Sequence, residues 1–340
     1  MNLIVILGGG PAGLALAAGL SKFSQNQVTV IEKTNYNCLF PGEHVQSQIL
    51  RLFTNLNIPK IILYENSTPC DGIIGTWINR KIISEGFFNP YGHDFIIHRP
   101  DFEKSLADFL NTQGVKFHVG KSLKKIDNRV IDIEGEILSY DFLFDCTGRT
   151  SRQFNNQRII FDNLFGISYY GPPNPKGNSK IIIESTQKGW WYHTFSKKMS
   201  VTTYFTDYEN YNLLERNLQS ELNATDITKK HCKELVGSPH IKPAFTSILK
   251  SPPSNIYQVG DSYSSLDPLS SQGIFKAFKQ ASQIADCFSE KNFKESITKF
   301  YAAEQSSFYQ NLRIREFYYN EGWQVYKSEF YRKRCELSLL

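Results

Sequence analysis

A glycine-rich turn near the start of the chain constrains the fold more than any other feature. The apolar run Leu3–Leu7 has the pattern of a parallel strand buried on both faces, and GGGPAG (8–13) follows it directly. Leu14–Phe23 then predicts a helix, and Val28–Ile31 predicts a second strand that ends at Glu32. This order of strand, turn, helix and strand is the context that a GxGxxG fingerprint requires. The sequence therefore predicts a Rossmann-like α/β domain that binds a dinucleotide.

The glycines of this turn have separate predicted tasks. Gly8 makes the tight turn, Gly10 lets the backbone approach a pyrophosphate, and Gly13 lets the helix pack on the strand. The phosphate would lie on the helix N-terminus, where unpaired N–H groups and the helix dipole favour negative charge. Glu32 is placed to accept hydrogen bonds from a ribose hydroxyl, and its charge would repel a 2′-phosphate. FAD or NAD therefore fits this site, and bound NADP does not.

Two later segments indicate a flavin rather than a nicotinamide. Ile137–Phe144 predicts a strand that runs into DCTG (145–148). Ile256–Asp261 predicts another strand, followed by DPLSSQG (267–273) and a helix from Ile274 onward. A helix N-terminus at that point suits the negative charge that develops on a reduced isoalloxazine. We therefore expect two turns, far apart in the sequence, to hold opposite ends of one flavin nucleotide.

These motifs together resemble the three fingerprints of the FAD-dependent aromatic hydroxylase superfamily. The resemblance implies an FAD-binding fold and an FAD-dependent oxidoreductase. In that family the acid of the Gly-Asp pair binds the ribityl chain, which suggests Asp261, and the following Pro and Gly flank the flavin ring, which suggests Pro268 and Gly273. The predicted cofactor-binding residues are Gly8, Gly10, Ala12, Gly13, Glu32, Lys33, Arg99, Asp261, Pro268, Gln272, Gly273 and Ile274.

Further segments resemble one branch of that superfamily. They are PGE (41–43), FNPYG (88–92) with HRPDF (98–102), GWWY (189–192) and YYNEGW (318–323). They look like the branch that contains flavin-dependent tryptophan halogenases, and still more like the flavoproteins that hydroxylate a tryptophan of a partner protein during tryptophylquinone maturation. The likeness extends over nearly the whole chain, and the superfamily motifs are more specific than those of the branch.

One departure from the halogenase motif favours hydroxylation. That motif has a second Trp two residues after the first, then Ile and Pro, whereas Tyr192, Thr194 and Phe195 stand at those positions here. We therefore predict an FAD-dependent monooxygenase that hydroxylates an electron-rich aromatic ring, with a tryptophan of a peptide or protein as the favoured substrate. A halogenase of an indole or another aromatic, and a non-redox flavoprotein resembling the cyclases, remain as alternatives.

The sequence does not choose the electron donor. One dinucleotide fingerprint is present, so the reducing equivalents would come from transiently bound NAD(P)H or from a separate flavin reductase. Molecular oxygen would be the co-substrate. The same resemblance therefore predicts a reductase as a possible partner, besides the aromatic substrate.

Three residues, Glu43, His93 and Trp191, are candidates for catalysis. Glu43 matches the acid of the family's Gly-Glu motif and could face the flavin, or it could cap a helix starting near Val45. His93 could be a general base or a donor to substrate, or an ordinary histidine of a surface turn. Trp191 lies on a predicted strand that could form an aromatic wall beside the flavin or pack in the core. Arg99 resembles the arginine that the family sets against the cofactor or the nicotinamide, with a salt bridge as the alternative.

The scattered motifs imply that one domain is assembled from separated segments. We expect a discontinuous FAD-binding domain (1–60, 95–155 and 250–290), a substrate domain (61–94 and 156–249) and a C-terminal helical segment (291–340). Short apolar runs in Ile159–Phe205 predict antiparallel strands that roof the flavin. Asp101–Leu110 predicts a helix capped by Asp101, and Phe293–Phe330 predicts helices that pack back on the body.

Composition excludes several other classes of protein. The net charge of +5, from 38 Lys and Arg against 33 Asp and Glu, is too small for a nucleic-acid groove. Six cysteines without CxxC spacing indicate reduced thiols rather than a zinc site or disulfides. The apolar N-terminus lacks a basic region and is interrupted by Gly and Pro, so we expect no export signal, no membrane span and a cytoplasmic location. A basic cluster predicts a solvated helix face; it consists of Lys327, Arg332, Lys333 and Arg334.

Overall fold

The structure is a computed structural model that describes residues 1–39, 43–86, 89–127, 130–151, 157–173, 179–210, 217–251 and 256–335. The motif residues Pro41, Gly42 and Phe88 lie outside the described residues. Helices α1 to α9, in chain order, span Pro11–Ser21, Ile49–Asn55, Ile61–Glu65, Arg99–Thr112, Leu218–Asn223, Thr228–His231, Gly273–Ser289, Phe293–Tyr326 and Glu329–Cys335.

Strands β1 to β21, also in chain order, span Asn2–Leu7, Asn26–Glu32, His44–Val45, Ser67–Cys70, Gly72–Trp77, Arg80–Glu85, Asp94–Ile97, Lys116–Val119, Leu123–Asp127, Val130–Ile133, Glu136–Ser139, Phe142–Asp145, Arg158–Ile160, Leu164–Gly171, Lys180–Thr186, Gly189–Phe195, Ser200–Asp207, His240–Pro243, Ser247–Leu249, Tyr257–Gln258 and Ser264–Ser265. They form two larger sheets of five and seven strands and three smaller sheets of three strands each.

The five-stranded sheet is parallel and has the order β20–β12–β1–β2–β8. Its central strand β1 alternates between two cores: Ile4 and Ile6 pack with the helices, while Val5 and Leu7 pack against the meander β9–β10–β11. Burial on both faces explains why β1 is a continuous apolar run. The predicted Rossmann-like, three-layer α/β fold is therefore confirmed.

The seven-stranded sheet has the order β18–β14–β17–β16–β15–β5–β6. All neighbouring pairs are antiparallel except β15 with β5. Side chains alternate across a strand, so Trp190 and Tyr192 share one face, here called the inner face, with Ile183. Trp191 lies on the opposite, outer face. The predicted antiparallel sheet is confirmed apart from this one parallel pair, and its role as a substrate domain stays a prediction.

The C-terminal helices α8 and α9 pack against this inner face. Tyr319, Phe330 and Tyr331 are buried in the same apolar cluster as Trp190. A Cβ on Gly322 would lie 2.0 Å from Cδ1 of Tyr331, so this glycine lets the two helices meet closely. The predicted C-terminal helical segment is confirmed. The exact division of the chain into three parts stays a prediction.

Three local predictions were wrong. Ile137–Phe144 is two strands, because the chain leaves the antiparallel meander after β11 and enters the parallel sheet at β12. No helix begins near Val45, which belongs to β3, so Glu43 does not cap one. Helix α4 is preceded by His98 as its N-cap residue, and Asp101 lies in its first turn.

In the described part of the chain, no helix combines the length and the apolar run that crossing a bilayer requires. Within the same residues, no group of three or more His, Cys, Asp or Glu side chains is arranged to hold a metal ion. The six cysteines are unpaired.

Candidate active site

The glycine turn has the geometry that a dinucleotide fingerprint needs. Gly8 has a φ of +96°, which favours glycine, and a Cβ there would lie 2.6 Å from the carbonyl oxygen of Cys146. A Cβ on Gly13 would lie 1.9 Å from the carbonyl oxygen of Gly8. These two glycines therefore permit the turn and the close packing of α1 on β1, as predicted.

Gly10 differs from its neighbours, because a Cβ built there meets nothing within 4 Å. It is the N-cap residue of α1, which begins at Pro11. An open space in front of a helix N-terminus fits a phosphate, since the unpaired N–H groups and the dipole favour an anion. The residues present at this turn therefore fit the pyrophosphate of a dinucleotide.

Glu32 lies at the end of β2, buried beside the same turn. Its Oε2 accepts a hydrogen bond from the Gly9 N–H at 2.6 Å, and its Oε1 accepts from the N–H and the hydroxyl of Thr34, both at 2.7 Å. A carboxylate has about four acceptor positions, so these bonds leave room for a ribose hydroxyl. The neighbouring Lys33 is exposed.

The two helix N-termini that the sequence singled out lie at the same end of a helix pair. A Cβ on Gly260 would be 2.8 Å from Cβ of Ala12 and 3.9 Å from Cβ of Ala277, and a Cβ on Gly19 would be 2.7 Å from Cβ of Ala285. Helices α1 and α7 therefore run side by side in the same direction. One extended cofactor can meet both N-termini, which supports the prediction that these turns serve one nucleotide.

Asp261 follows β20 in a short 3-10 turn and is held by two cations. Arg149 Nη2 lies 3.1 Å from its Oδ2, and Lys276 Nζ lies 3.2 Å from its Oδ1. Burial raises the pKa of Asp261, but Lys276 and Arg149 outweigh it, so the net shift is downward. The carboxylate is therefore ionised and fixed in position.

Arg149 and Lys276 are the residues that sequence reasoning missed. Arg149 directly follows the DCTG segment (145–148) at the carboxyl end of a parallel strand. Ligands bind at that end of such sheets, so its position could have indicated a role in the site. Lys276 lies one turn inside α7 and gave no signal, because a lysine in a helix is ordinarily solvated. Both bring positive charge to the region where an anionic cofactor is predicted.

The turn at 267–271 is anchored to the C-terminal helix. Asp267 Oδ1 accepts from the Leu269 N–H at 2.9 Å, and its Oδ2 lies 3.0 Å from Nε of Arg315 on α8. Arg315 also pairs with Asp162, which precedes β14. The three charged side chains are almost fully buried. One guanidinium therefore joins the predicted flavin turn, the seven-stranded sheet and the long helix.

Arg334 extends this buried network and corrects the expectation of a solvated basic face. Its exposed fraction is 0%, its Nη2 lies 2.5 Å from Oδ1 of Asp207, and its guanidinium carbon lies 4.1 Å above the ring of Phe330. The surrounding sheet and helices supply both the carboxylate and the ring. At least one residue of the C-terminal basic cluster, Arg334, therefore forms a buried ion pair instead of facing solvent.

We expect the network to make stability sensitive to acid through Asp162. Burial raises the pKa of this carboxyl, but Arg315 and Arg334 outweigh burial and lower it below the ordinary value. Because the folded pKa is depressed, the contribution is fully present above the unfolded pKa and is lost as pH falls below about 4. Urea unfolding of the wild type over this pH range should show the loss.

In an Asp162→Asn variant, the fall of the unfolding free energy on acidification should be shallower. Asp108→Asn is the matched control, because Asp108 is exposed and pairs with the equally exposed Lys104 across one helix turn. Equal acid slopes for the wild type and Asp162→Asn would contradict the assignment.

Glu43 is a predicted catalytic residue that lies buried just before β3, beside strand β7. It is 4% exposed, and its carbonyl oxygen accepts from the Ile97 N–H at 2.8 Å. Burial, followed by the negative charge of Glu43, raises the pKa of both Tyr192 and Tyr170. These phenols therefore stay protonated and can donate hydrogen bonds. Arg99 lies close enough to oppose the shift at Tyr170.

The other candidate residues are placed differently. His93 is exposed in the turn before β7. Arg99 binds Glu103 within α4, at 2.8 Å through Nε and 2.5 Å through Nη2, which is the salt bridge weighed as its alternative. Trp191 packs with Tyr204 and Leu218 on the outer face, away from Glu43. That face cannot form a wall beside the inner-face residues, so we assign Trp191 to the core.

Comparisons with known proteins find flavin-dependent enzymes that are similar to this chain. No family model matches the chain. The LodB protein of Marinomonas mediterranea, assigned as an FAD-dependent oxidoreductase, is 26% identical over 302 residues, which cover 82% of each chain.

Solved structures support the same likeness. QhpG, a peptidyl tryptophan dihydroxylase essential for tryptophylquinone cofactor biogenesis, matches with a TM-score of 0.81 and 19% identity, over 98% of this chain and 78% of its own. The flavin-dependent halogenase CmlS matches with a TM-score of 0.83 and 18% identity, over 98% of this chain and 67% of its own. The resemblance predicted from the motifs is confirmed, the predicted enzyme class agrees with that of LodB, and the chain has the fold shared by these flavin-dependent enzymes.

Proposed function

We propose that this protein is an FAD-dependent monooxygenase that hydroxylates an electron-rich aromatic ring, with a tryptophan of a peptide or protein as its substrate. The observation that carries the proposal is the group formed by Glu43, Tyr170 and Tyr192: a buried carboxylate whose charge raises the pKa of two inner-face phenols, of which Tyr192 is buried and Tyr170 is half-buried. The likeness of the whole chain to QhpG, which acts on a peptidyl tryptophan, supports this choice of substrate.

In this proposal the chain binds the cofactor through its backbone and a few charges. The N–H groups at Gly10 would hold the pyrophosphate and Glu32 the ribose, while Asp261, fixed by Arg149 and Lys276, would bind the ribityl chain. Pro268, Gln272, Gly273 and Ile274 would line the ring at the start of α7. When bound, the reduced flavin activates molecular oxygen for transfer of one oxygen atom to the substrate.

The remaining residues orient the substrate and move a proton. Glu43 would accept the proton that the aromatic ring or its indole nitrogen loses, and Tyr170 and Tyr192 would donate hydrogen bonds that fix the ring. The inner face is largely buried, which excludes water from the reacting atoms. Reducing equivalents would come from NAD(P)H or a separate reductase. The unpaired cysteines support the predicted cytoplasmic location.

Halogenation is the second candidate, because the flavin-dependent halogenases CmlS and CndH share the fold with TM-scores of 0.83 and 0.82. A tryptophan-containing peptide incubated with the FAD-loaded protein, a flavin reductase, NADH and bromide separates the candidates. A mass increase of one or two oxygen atoms supports hydroxylation, whereas a bromine isotope pattern supports halogenation. An unchanged peptide without oxygen uptake would favour the non-redox alternative.

A Glu43→Gln variant tests the proton acceptor. The amide keeps the size of the side chain but cannot take a proton, so kcat should fall by about a hundredfold. FAD occupancy and the dissociation constant for the peptide should change little. The matched control is Glu65→Gln, an exposed residue at the end of α3. Unchanged turnover of Glu43→Gln, with full flavin occupancy, would remove Glu43 from the mechanism.

A further inference from the structure

The phenol of Tyr36 lies against the glycine turn. A Cβ built on Gly9 would be 2.3 Å from the hydroxyl oxygen of Tyr36, and 3.0 and 3.2 Å from Cβ and Cγ of Glu32. The hydroxyl therefore lies over the second glycine of the fingerprint, on the same side as the carboxylate that is predicted to bind a ribose. No motif in the sequence singled out Tyr36.

The hydroxyl of Tyr36 is buried without a partner. The residue is 8% exposed, and within the described residues no group of the protein forms a hydrogen bond with this hydroxyl. Burying an unpaired hydroxyl costs free energy, and most buried polar atoms in folded proteins are paired. At a ligand site such a hydroxyl is accounted for when the ligand supplies its partner.

The backbone of Tyr36 is also unusual. Its φ is +57°, in the left-handed region that a bulky aromatic residue rarely adopts. The turn that holds it begins at Glu32, because the Thr34 hydroxyl donates to Glu32 Oε1 at 2.7 Å and the Tyr36 N–H donates to the Thr34 hydroxyl at 3.4 Å. Strained backbone of this kind is found at ligand sites more often than elsewhere. The same turn therefore positions both the carboxylate and the phenol.

The charges around Tyr36 keep its phenol protonated. Burial, followed by the negative charges of Glu32, Glu103 and Asp108, raises the pKa of Tyr36 well above its ordinary value. Arg99, the cation on the same helix as Glu103, is bound to that carboxylate. The phenol is therefore a hydrogen-bond donor at neutral pH.

A ribose needs both kinds of partner that this turn offers. Each ribose hydroxyl donates one hydrogen bond and also accepts through its oxygen, whereas a carboxylate only accepts. Glu32 can therefore bind the ribose protons but not the ribose oxygens. The phenol of Tyr36, on the same side of Gly9, can supply the missing donor.

We propose that Tyr36 is a cofactor-binding residue whose hydroxyl donates a hydrogen bond to a hydroxyl oxygen of the adenosine ribose of FAD, while Glu32 accepts from the same ribose. The inference rests on the proposed function, since it requires that the glycine turn binds FAD. It extends that function by assigning a side-chain donor to the adenosine end of the cofactor.

A Tyr36→Phe variant tests the donor without any assay of turnover. Titration of the flavin-free protein with FAD, followed by quenching of flavin fluorescence, should give a dissociation constant about three- to tenfold higher than that of the wild type. The thermal midpoint of the flavin-free variant should equal or exceed that of the flavin-free wild type, because the change removes an unpaired buried hydroxyl.

Tyr204→Phe is the matched control and should show the opposite pattern. Tyr204 is 0% exposed on the outer face, and its hydroxyl lies 2.8 Å from Oγ1 of Thr186. Removing this paired hydroxyl should lower the thermal midpoint of the flavin-free protein and leave the affinity for FAD unchanged. The same pattern in Tyr36→Phe would show that the phenol serves folding, and it would overturn the proposal.

Nucleotide fragments identify the atom that the phenol contacts. Calorimetry with ADP should show the same fold loss for Tyr36→Phe as FAD does. The difference between the wild type and the variant should vanish with either 2′-deoxy-ADP or 3′-deoxy-ADP, because one of them lacks the accepting oxygen. An equal loss with ADP and with both deoxy nucleotides would place the phenol on a phosphate and overturn the ribose assignment.

The outcomes also separate this proposal from the proposed function. Unchanged or tighter binding of FAD by Tyr36→Phe would overturn the role of Tyr36 and leave the proposed function intact, because the glycine turn would still bind the cofactor. A wild-type protein that bound no FAD would overturn the proposed function itself, and the role of Tyr36 with it.

Discussion

A Gly10→Glu variant is expected to fold normally and to lose its flavin. A Cβ on Gly10 meets no atom within 4 Å, and the φ of −76° there is open to any residue, so the apoprotein has no steric reason at this position to unfold. The carboxylate would occupy the place of the pyrophosphate and repel it. A like charge at about 4 Å costs on the order of 1–4 kcal/mol, and with the lost N–H contacts the affinity for FAD should fall at least about a hundredfold.

Two measurements on the same preparation check this expectation. Flavin absorbance per protein should disappear, while thermal unfolding of the flavin-free protein should match that of the flavin-free wild type. Ala302→Glu, the same added charge on an exposed position of α8, should keep its flavin. Full yellow colour in Gly10→Glu would show that the glycine turn does not bind the cofactor.

An Arg315→Met variant is expected to lose much of its folding stability. Methionine fills part of the volume but leaves Asp162 and Asp267 buried without their shared cation. Removing one partner from a buried ion pair typically costs about 3–5 kcal/mol. Because Asp267 also holds the turn at 267–271, the affinity for FAD should fall as well.

Urea unfolding of the flavin-free proteins separates the stability effect from cofactor binding. Arg313→Met, on the exposed side of the same helix, should change the unfolding free energy by no more than about 0.5 kcal/mol. If the unfolding free energy of Arg315→Met fell as little as that of the control, the guanidinium of Arg315 would not stabilise the fold. The unfolding free energy of an Arg315→Lys variant should lie between those of Arg315→Met and Arg313→Met, because one ammonium cannot bind both carboxylates in the geometry of the guanidinium.

The parts predicted well were those whose cause is local. Gly8, Gly13 and Glu32 lie within one strand–helix–strand unit, so short-range spacing and backbone geometry define their positions. The start of α7 at Gly273 follows in the same way from the turn that precedes it. The resemblance of the motifs to a known family predicted that the turns before α1 and α7 bind one cofactor. The parallel packing of these two helices agrees with that prediction.

The parts predicted poorly depend on which face of an element meets another. Alternation in GWWY (189–192) indicated two faces, but only the position of the neighbouring elements shows that Tyr192 packs with Ile96 on the inner face and Trp191 with Leu218 on the outer face. Arg334 looked solvated in its own helix, yet its partner Asp207 lies 127 residues away. Neither outcome could be obtained from spacing, because both arise from contacts between distant segments.

The chain alone therefore determined the nucleotide fingerprint, the layered α/β architecture and the branch of flavoproteins that it resembles, since local backbone requirements and apolar periodicity specify these. Tertiary packing alone decided that Arg149 and Lys276 converge on Asp261, that Arg315 joins three parts of the fold, and that Trp191 packs in the core of the outer face. Side chains far apart in sequence acquire these relations only when sheets and helices bury their faces against one another.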